Sequence, residues 1–195
     1  MTQLSFSFPD DQNYAAEDFI FLEENLSARN FLNNFFTQKD FTKSQLQSLI
    51  LKGEECSGKT HLLHIFAKKF HAEFLNAAEI SKINFIPNHF YIFEDCDKIT
   101  DEEALLRLIN SAVEAKAFLL LSAKNISRFK LRDLVSRLKN IIVAEIKNPG
   151  LEVVEQLLAN GLARRQIKLS KQEIKSMSSK IDRSYAAISE VLSKL

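Results

Sequence analysis

The stretch LQSLILK-GEECSGKT-HLLHIFA, residues 46–67, decides how this chain is read. A run of near-continuous apolar residues stops at Lys52. Gly53-Glu54-Glu55-Cys56-Ser57-Gly58-Lys59-Thr60 then matches G-x-x-x-x-G-K-[ST], and an amphipathic helical pattern begins at His61. Strand, glycine-bounded loop and helix are the context in which this spacing has a chemical meaning. Backbone N–H groups of the loop and of the helix N-terminus converge on a polyphosphate, Lys59 reaches its outer phosphates, and the Thr60 hydroxyl ligates Mg²⁺. Gly53, Cys56, Ser57, Gly58, Lys59, Thr60 and His61 are therefore the expected nucleotide contacts. Two features weaken the loop. Cys56 has a Cβ where many such loops carry glycine, and Glu54 and Glu55 place negative charge beside a negative ligand.

Outward from this stretch the same pattern recurs. HFYIFED (89–95), AFLLLSA (117–123), NIIVAEI (140–146) and the weaker EFLNA (73–77) are short apolar runs separated by helical patterns. Runs apolar on both faces, alternating with helices, predict a parallel five-stranded sheet covered by helices on each side, an α/β sandwich. After Asn148-Pro149-Gly150 the periodicity turns helical over 151–160, 171–181 and 184–195. The expected organisation is a terminal peptide over 1–12, an α/β unit over 13–148 and a small helical lid over 149–195.

Composition excludes several classes. At 195 residues and 46% apolar content the chain can bury a substantial core. Its 26 basic and 25 acidic residues leave a net charge of +1, so no global field draws it to nucleic acid or to an anionic membrane. Cys56 and Cys96 form neither a disulfide framework nor a metal-ligand spacing, which suits a reducing cytosol. No leader pattern and no membrane-length apolar run is present, and the expectation is a cytoplasmic protein with no membrane partner.

Two further strands carry chemistry at their ends. The 89–95 run closes on Glu94 and Asp95, the form of a Walker B element, in which Glu94 holds Mg²⁺ through water and Asp95 orients the attacking water. The 117–123 run carries Ser122, a hydroxyl that would lie between the two loops near the outermost phosphate.

In this order of motifs the sequence resembles the AAA+ P-loop NTPase module of DnaA, the bacterial replication initiator. The resemblance implies Arg137, in Arg132-Asp133-Leu134-Val135-Ser136-Arg137-Leu138, as an arginine finger. It implies Ser122 as sensor 1 and Arg183, in Ile181-Asp182-Arg183-Ser184, as sensor 2. The segment YAAEDFIFLEEN (14–25) is similar to the family's adenine-side box, which sets Phe19 and Ile20 beside the base. Read without the resemblance, Arg137 is a helix-surface arginine four residues from Asp133, and Arg183 a surface residue near a helix start.

DnaA carries a C-terminal DNA-binding helix-turn-helix domain, and with Leu195 lying just past the lid the expectation is a relative that lacks it. The resemblance narrows to the Hda class, short relatives that begin with a clamp-binding peptide of the form QL[SD]L. Gln3-Leu4-Ser5-Phe6-Ser7-Phe8 has that form, and an extended peptide with alternate apolar side chains suits pocket recognition. It also suits a strand packed on its own domain. The implied function is a negative regulator of replication initiation. It binds ADP or ATP with Mg²⁺, docks on the DNA polymerase III β sliding clamp through Gln3, Leu4, Phe6 and Phe8, and reaches DNA only through the clamp. Arg137 then acts in trans on ATP held by DnaA. Intrinsic ATPase would be weak or absent, and a homo-oligomer is compatible with the resemblance. The alternatives are a stand-alone ATPase of the helicase-loader or clamp-loader type and an adaptor that needs no nucleotide.

Overall fold

Burial alternates residue by residue along the strands. In β1 (Ser48–Lys52) Leu49 and Leu51 pack into one layer of helices while Ile50 packs into the other. Ile92 of β3 (Phe90–Phe93) and Leu120 of β4 (Phe118–Ala123) join the first layer, and their neighbours Tyr91, Phe93, Leu119 and Leu121 join the second. Strands apolar on both faces have to be covered twice, which is why the sequence shows runs where a half-solvated sheet would show alternation. These observations come from a computed structural model that describes residues 14–35, 48–78, 80 and 82–195. The segment Gln3–Phe8 lies outside them.

With β2 (Glu73–Phe74) and β5 (Ile142–Glu145) the five strands form one parallel sheet in the order β2-β3-β4-β1-β5. The first helical layer contains α1 (Glu23–Phe35) and α2 (Lys59–Phe70), packed through Ala28, Leu32, Leu62, Leu63 and Phe66. The second contains α3 (Glu102–Glu114) and α4 (Arg132–Lys139), packed through Leu105, Leu108, Ile109, Leu134 and Leu138. From β1 the chain crosses by α2 towards β2 at one edge, whereas from β4 it crosses by α4 past β1 to β5 at the other. The direction of winding therefore reverses at the β1–β4 boundary, where the carboxyl ends of the strands open a crevice. Residues 53–58 leave β1 at that point.

Three helices follow Gly150: α5 (Leu151–Arg164), α6 (Lys171–Ser178) and α7 (Tyr185–Ser193). They share a separate apolar cluster around Val154, Leu158 and Ile188. Helix α5 extends past the Asn160 end expected from the pattern, because Gly161 sits against Leu192 of α7 and is held in the helix by that packing. Ser170 and Glu173 form a reciprocal cap that starts α6, and Ser184 caps α7. Tyr185 ties this unit to the sheet, its hydroxyl donating to the Lys147 carbonyl at 3.0 Å. No helix among the described residues is long and apolar enough to cross a membrane.

Candidate phosphate-binding site

The loop after β1 is anchored at both ends. Gly53 N–H donates to the Ala123 carbonyl at 3.1 Å, fixing the loop to the end of β4. A Cβ at Gly53 would stand 2.7 Å from Ser57 Oγ and 3.3 Å from Ile146 Cβ, so a larger residue there would have to displace the Ser57 side chain and crowd Ile146. At the other end Gly58, with φ +89°, precedes α2 and turns the chain into the helix. Cys56 also adopts a left-handed φ, +59°. The Cβ expected to resist that geometry is accommodated, because the Cys56 side chain projects to solvent. Conformational strain of about 1–2 kcal/mol is typical of a non-glycine residue there.

Lys59, 8% exposed, turns back into the loop and donates to the Gly53 and Glu54 carbonyls, each at 2.9 Å. Burial holds its ammonium below the ordinary lysine value, against the opposing pull of Asp95 and Asp97. The negative charge anticipated from Glu54 and Glu55 is met by Lys124, whose ammonium lies 3.0 Å from Glu54 and 3.9 Å from Glu55. That contact is exposed and salt-screened, but it turns both carboxylates towards a cation.

Strand β3 ends at Phe93, one residue before the acidic pair, so Glu94 and Asp95 occupy a turn. Asp95 takes φ +47°, a conformation that aspartate tolerates better than most residues. Its N–H donates to Ser122 Oγ at 2.9 Å, so the buried hydroxyl at the end of β4 fixes the acidic turn. Asp95 pairs with Lys98 at 2.8 Å, a hydrogen bond that raises the Lys98 pKa. Asp97 accepts from Lys124 N–H at 3.0 Å and Asn125 N–H at 2.8 Å, pinning the segment after β4 beside the loop.

Together these residues line a cleft of about 530 Å³, within the range of small-molecule sites. Cys56, Ser57, Gly58, Lys59, Thr60, His61 and Asp95 lie on it. Tyr14, Glu55, Asp97, Lys98 and Lys124 complete the lining. Glu94, Ser122, Ile20, Phe19, Arg137 and Arg183 do not line it. Phe19 instead lies beneath the loop, 3.3 Å from where a Gly58 Cβ would be, and meets the His61 ring edge-on at 5.2 Å. Ile20 contributes its carbonyl to Asn25 Nδ2 at 2.9 Å. Tyr14 stacks on His64 at 4.1 Å, and His61 Nε2 contacts the Ala15 carbonyl at 2.8 Å, so the 14–19 segment closes one side of the cleft. Asp97 and Lys124 escaped the sequence reading because no motif marks them. Only the parallel pairing of β3 with β4 brings them together.

The residues present fit a nucleotide polyphosphate. Lys59 supplies a buried cation at the helix N-terminus, and Ser57 Oγ is buried with no hydrogen-bond partner among the described residues. The exposed N-terminal amides of α2 add a positive dipole end. Thr60, with Asp95 and Asp97 across the cleft, supplies the oxygen donors suited to Mg²⁺.

The fold is an α/β sandwich, a parallel five-stranded sheet covered by helices, with a glycine-bounded loop and its lysine at the crevice. Among solved structures the chain is similar to AMPPCP-bound DnaA from Aquifex aeolicus, with a TM-score of 0.68 and 16% identity over 96% of this chain and 65% of that one. Domain III of DnaA from Thermotoga maritima gives 0.66 and 15%, covering 93% and 86%. The Thermotoga maritima RuvB Holliday junction branch migration motor gives 0.65 and 15%, covering 92% and 63%. The chain thus spans just under two thirds of that full DnaA chain. No family model matches the chain, and no curated protein matches its sequence.

Proposed function

We propose that the protein is a DnaA-like nucleotide-binding regulator of replication initiation. In this reading it docks on the DNA polymerase III β sliding clamp through Gln3, Leu4, Phe6 and Phe8 and presents Arg137 to ATP held by DnaA. The observation that carries it is the position of Arg137. It is exposed on α4, outside the lining of the chain's own cleft. Among the described residues Asp133 does not pair with it, so the helix ion pair that would occupy it is not formed. An arginine supplied in trans offsets charge developing on the transferred phosphoryl oxygens and can raise hydrolysis by about 10³–10⁵.

The chain's own cleft then acts as a switch. The N–H groups of 56–60 and Lys59 bind the phosphates, Tyr14 and His61 flank the nucleotide on the 14–19 side, and Arg183 of the helical lid (149–195) senses occupancy from beyond the cleft. Mg²⁺ would be held through Thr60, Asp95 and Asp97 and would neutralise phosphate charge, and Glu94, which does not line the cleft, falls outside that set. ADP suffices for such a switch, and intrinsic turnover is not required.

Two measurements test this. Gln3→Ala with Leu4→Ala should abolish retention on immobilised clamp, and Arg137→Ala should leave clamp retention intact while removing the stimulation of DnaA-bound ATP hydrolysis. Equal stimulation by the Arg137→Ala protein defeats the proposal. The presence of Asp95 and Asp97 in the same cleft as Lys59 and Thr60 favours a second reading, a stand-alone ATPase. Substantial clamp-independent turnover abolished by Lys59→Ala would select it.

A further inference from the structure

Between α1 and α2 lies a groove of about 260 Å³ that shares no lining residue with the phosphate cleft. Leu32, Leu62, Ile65, Phe66 and Phe21 form its apolar walls, and Arg29 and Lys69 stand at its rim. An apolar cavity of about 150 Å³ holds a benzene ring, so this groove has room for one phenyl ring and part of a second. Phe21 is 61% exposed, an unusual state for a phenylalanine beside a half-formed apolar pocket, and the Arg29 guanidinium lies 4.0 Å over its ring.

We propose that this groove seats the chain's own N-terminal segment, with Phe6 and Phe8 in the apolar part and Asp10 and Asp11 against Arg29 and Lys69. Three observations choose this occupant. Ala16 is part of the groove wall and Tyr14, to which residues 1–13 are joined, stands two residues before it, so that segment is tethered close to the groove at high effective concentration. Phe8-Pro9-Asp10-Asp11 carries a Pro-Asp turn signal, and a turn there would bring Phe6 and Phe8 back towards the point of attachment. Charge also matches, because two aspartates meet two cations. The other nearby segment, residues 36–47 after α1, carries Lys39 and Lys43 against Asp40 and so lacks the charge that would complement the rim.

The seat has a regulatory consequence that rests on the clamp reading above. Phe6 and Phe8 cannot occupy the groove and the clamp together, so the clamp has to displace the segment. The docking itself stands without that reading. Chymotryptic cleavage after Phe6 tests it on the full chain, with a synthetic peptide of residues 1–13 as the unprotected reference. Because cleavage tracks the undocked fraction, the bond in the intact protein should be cut at least about tenfold more slowly than in the peptide. Ile65→Asp should restore the peptide rate, and the doubly charge-reversed Arg29→Glu, Lys69→Glu protein should recover part of it. The charge-reversed pair lies on the exposed rim and decides the matter if Ile65→Asp does not fold. Peptide-like cleavage in the unaltered protein overturns the proposal. So does protection that persists in the groove variants, or groove variants that expose Phe41 instead of Phe6. No clamp enters this assay, so loss of clamp retention with the protection intact would remove only the clamp reading.

Discussion

Replacing Gly58 with alanine probes the geometry on which the proposed phosphate binding depends. The residue has φ +89°, which side-chain-bearing L-residues adopt at a cost of about 1–2 kcal/mol. The new Cβ would also stand 3.3 Å from Phe19 Cε2. Phe19 is 6% exposed and held edge-on to His61 and Phe21, so it has little space in which to retreat. That contact adds several tenths of a kcal/mol. Against both stands the narrower unfolded ensemble of alanine, a gain of about 0.4–1 kcal/mol. The net loss is about 1–2 kcal/mol, which for a chain of this size lowers Tm by roughly 2–8 °C. If the loop escapes by returning to negative φ, its N–H groups rotate away from the phosphate and the rise in Tm produced by ADP shrinks as well. Thermal unfolding followed by circular dichroism, with and without ADP, measures both quantities. Adding Phe19→Leu separates them, because it removes the contact and leaves the backbone term. A Gly58→Ala protein with unchanged Tm and an unchanged ADP shift would refute the assignment of strain and cradle to this residue.

Other outcomes follow from the same geometry. Cys56→Gly relieves left-handed strain at φ +59° at the expense of a wider unfolded ensemble. Its stability should change by less than about 1 kcal/mol while nucleotide affinity, read by isothermal titration, holds or rises; a large loss of affinity contradicts the strain argument. Lys59→Ala should eliminate the ADP-induced Tm shift, and a full shift in that variant would exclude Lys59 from phosphate binding. Tyr185→Phe removes the buried hydrogen bond to the Lys147 carbonyl and should cost about 1 kcal/mol in urea unfolding. Burial pushes both the Cys96 thiol and the Tyr185 phenol up to about 12, with the charges of Asp97 and Asp95 adding to the first and that of Glu24 to the second. Both folded values exceed the unfolded ones, so this stabilisation is complete below about pH 9 and is lost as pH rises towards 12, at up to about 1.4 kcal/mol per pH unit for each group. Lys59, lowered by burial, acts with the opposite sign and offsets part of that slope. Cys96→Ala should flatten the fall in unfolding free energy above pH 9, and an unchanged slope would exclude the thiol as a source.

The placement of strands was legible because burial on both faces leaves a mark that needs no partner to interpret. Residues 46–52, 89–95, 117–123 and 140–146 contain β1, β3, β4 and β5, and even the two-residue β2 lies within 73–77. The pattern overran β3, since Glu94 and Asp95 continue its charge-terminated look but leave the strand in a left-handed turn. The end of α5 was misplaced because Gly161 reads locally as a stop, whereas Leu192 packs against it from thirty-one positions away.

By itself, then, the sequence determined the class of sheet, the glycine-bounded loop with its lysine and threonine, and the helical character of residues 151–195. These are local properties, set by side-chain period, by glycine placement and by the order of residues in a single turn. The tertiary structure decided what depends on parallel strands meeting: Asp97 and Lys124 beside the loop, Ser122 behind the acidic turn, and Phe19 beneath Gly58 in place of the cleft lining. It also set Arg137 outside the chain's own cleft. Such placements follow from strand order β2-β3-β4-β1-β5, and strand order is fixed by which crossovers bury the most apolar surface together, a property of the whole chain that no short segment carries.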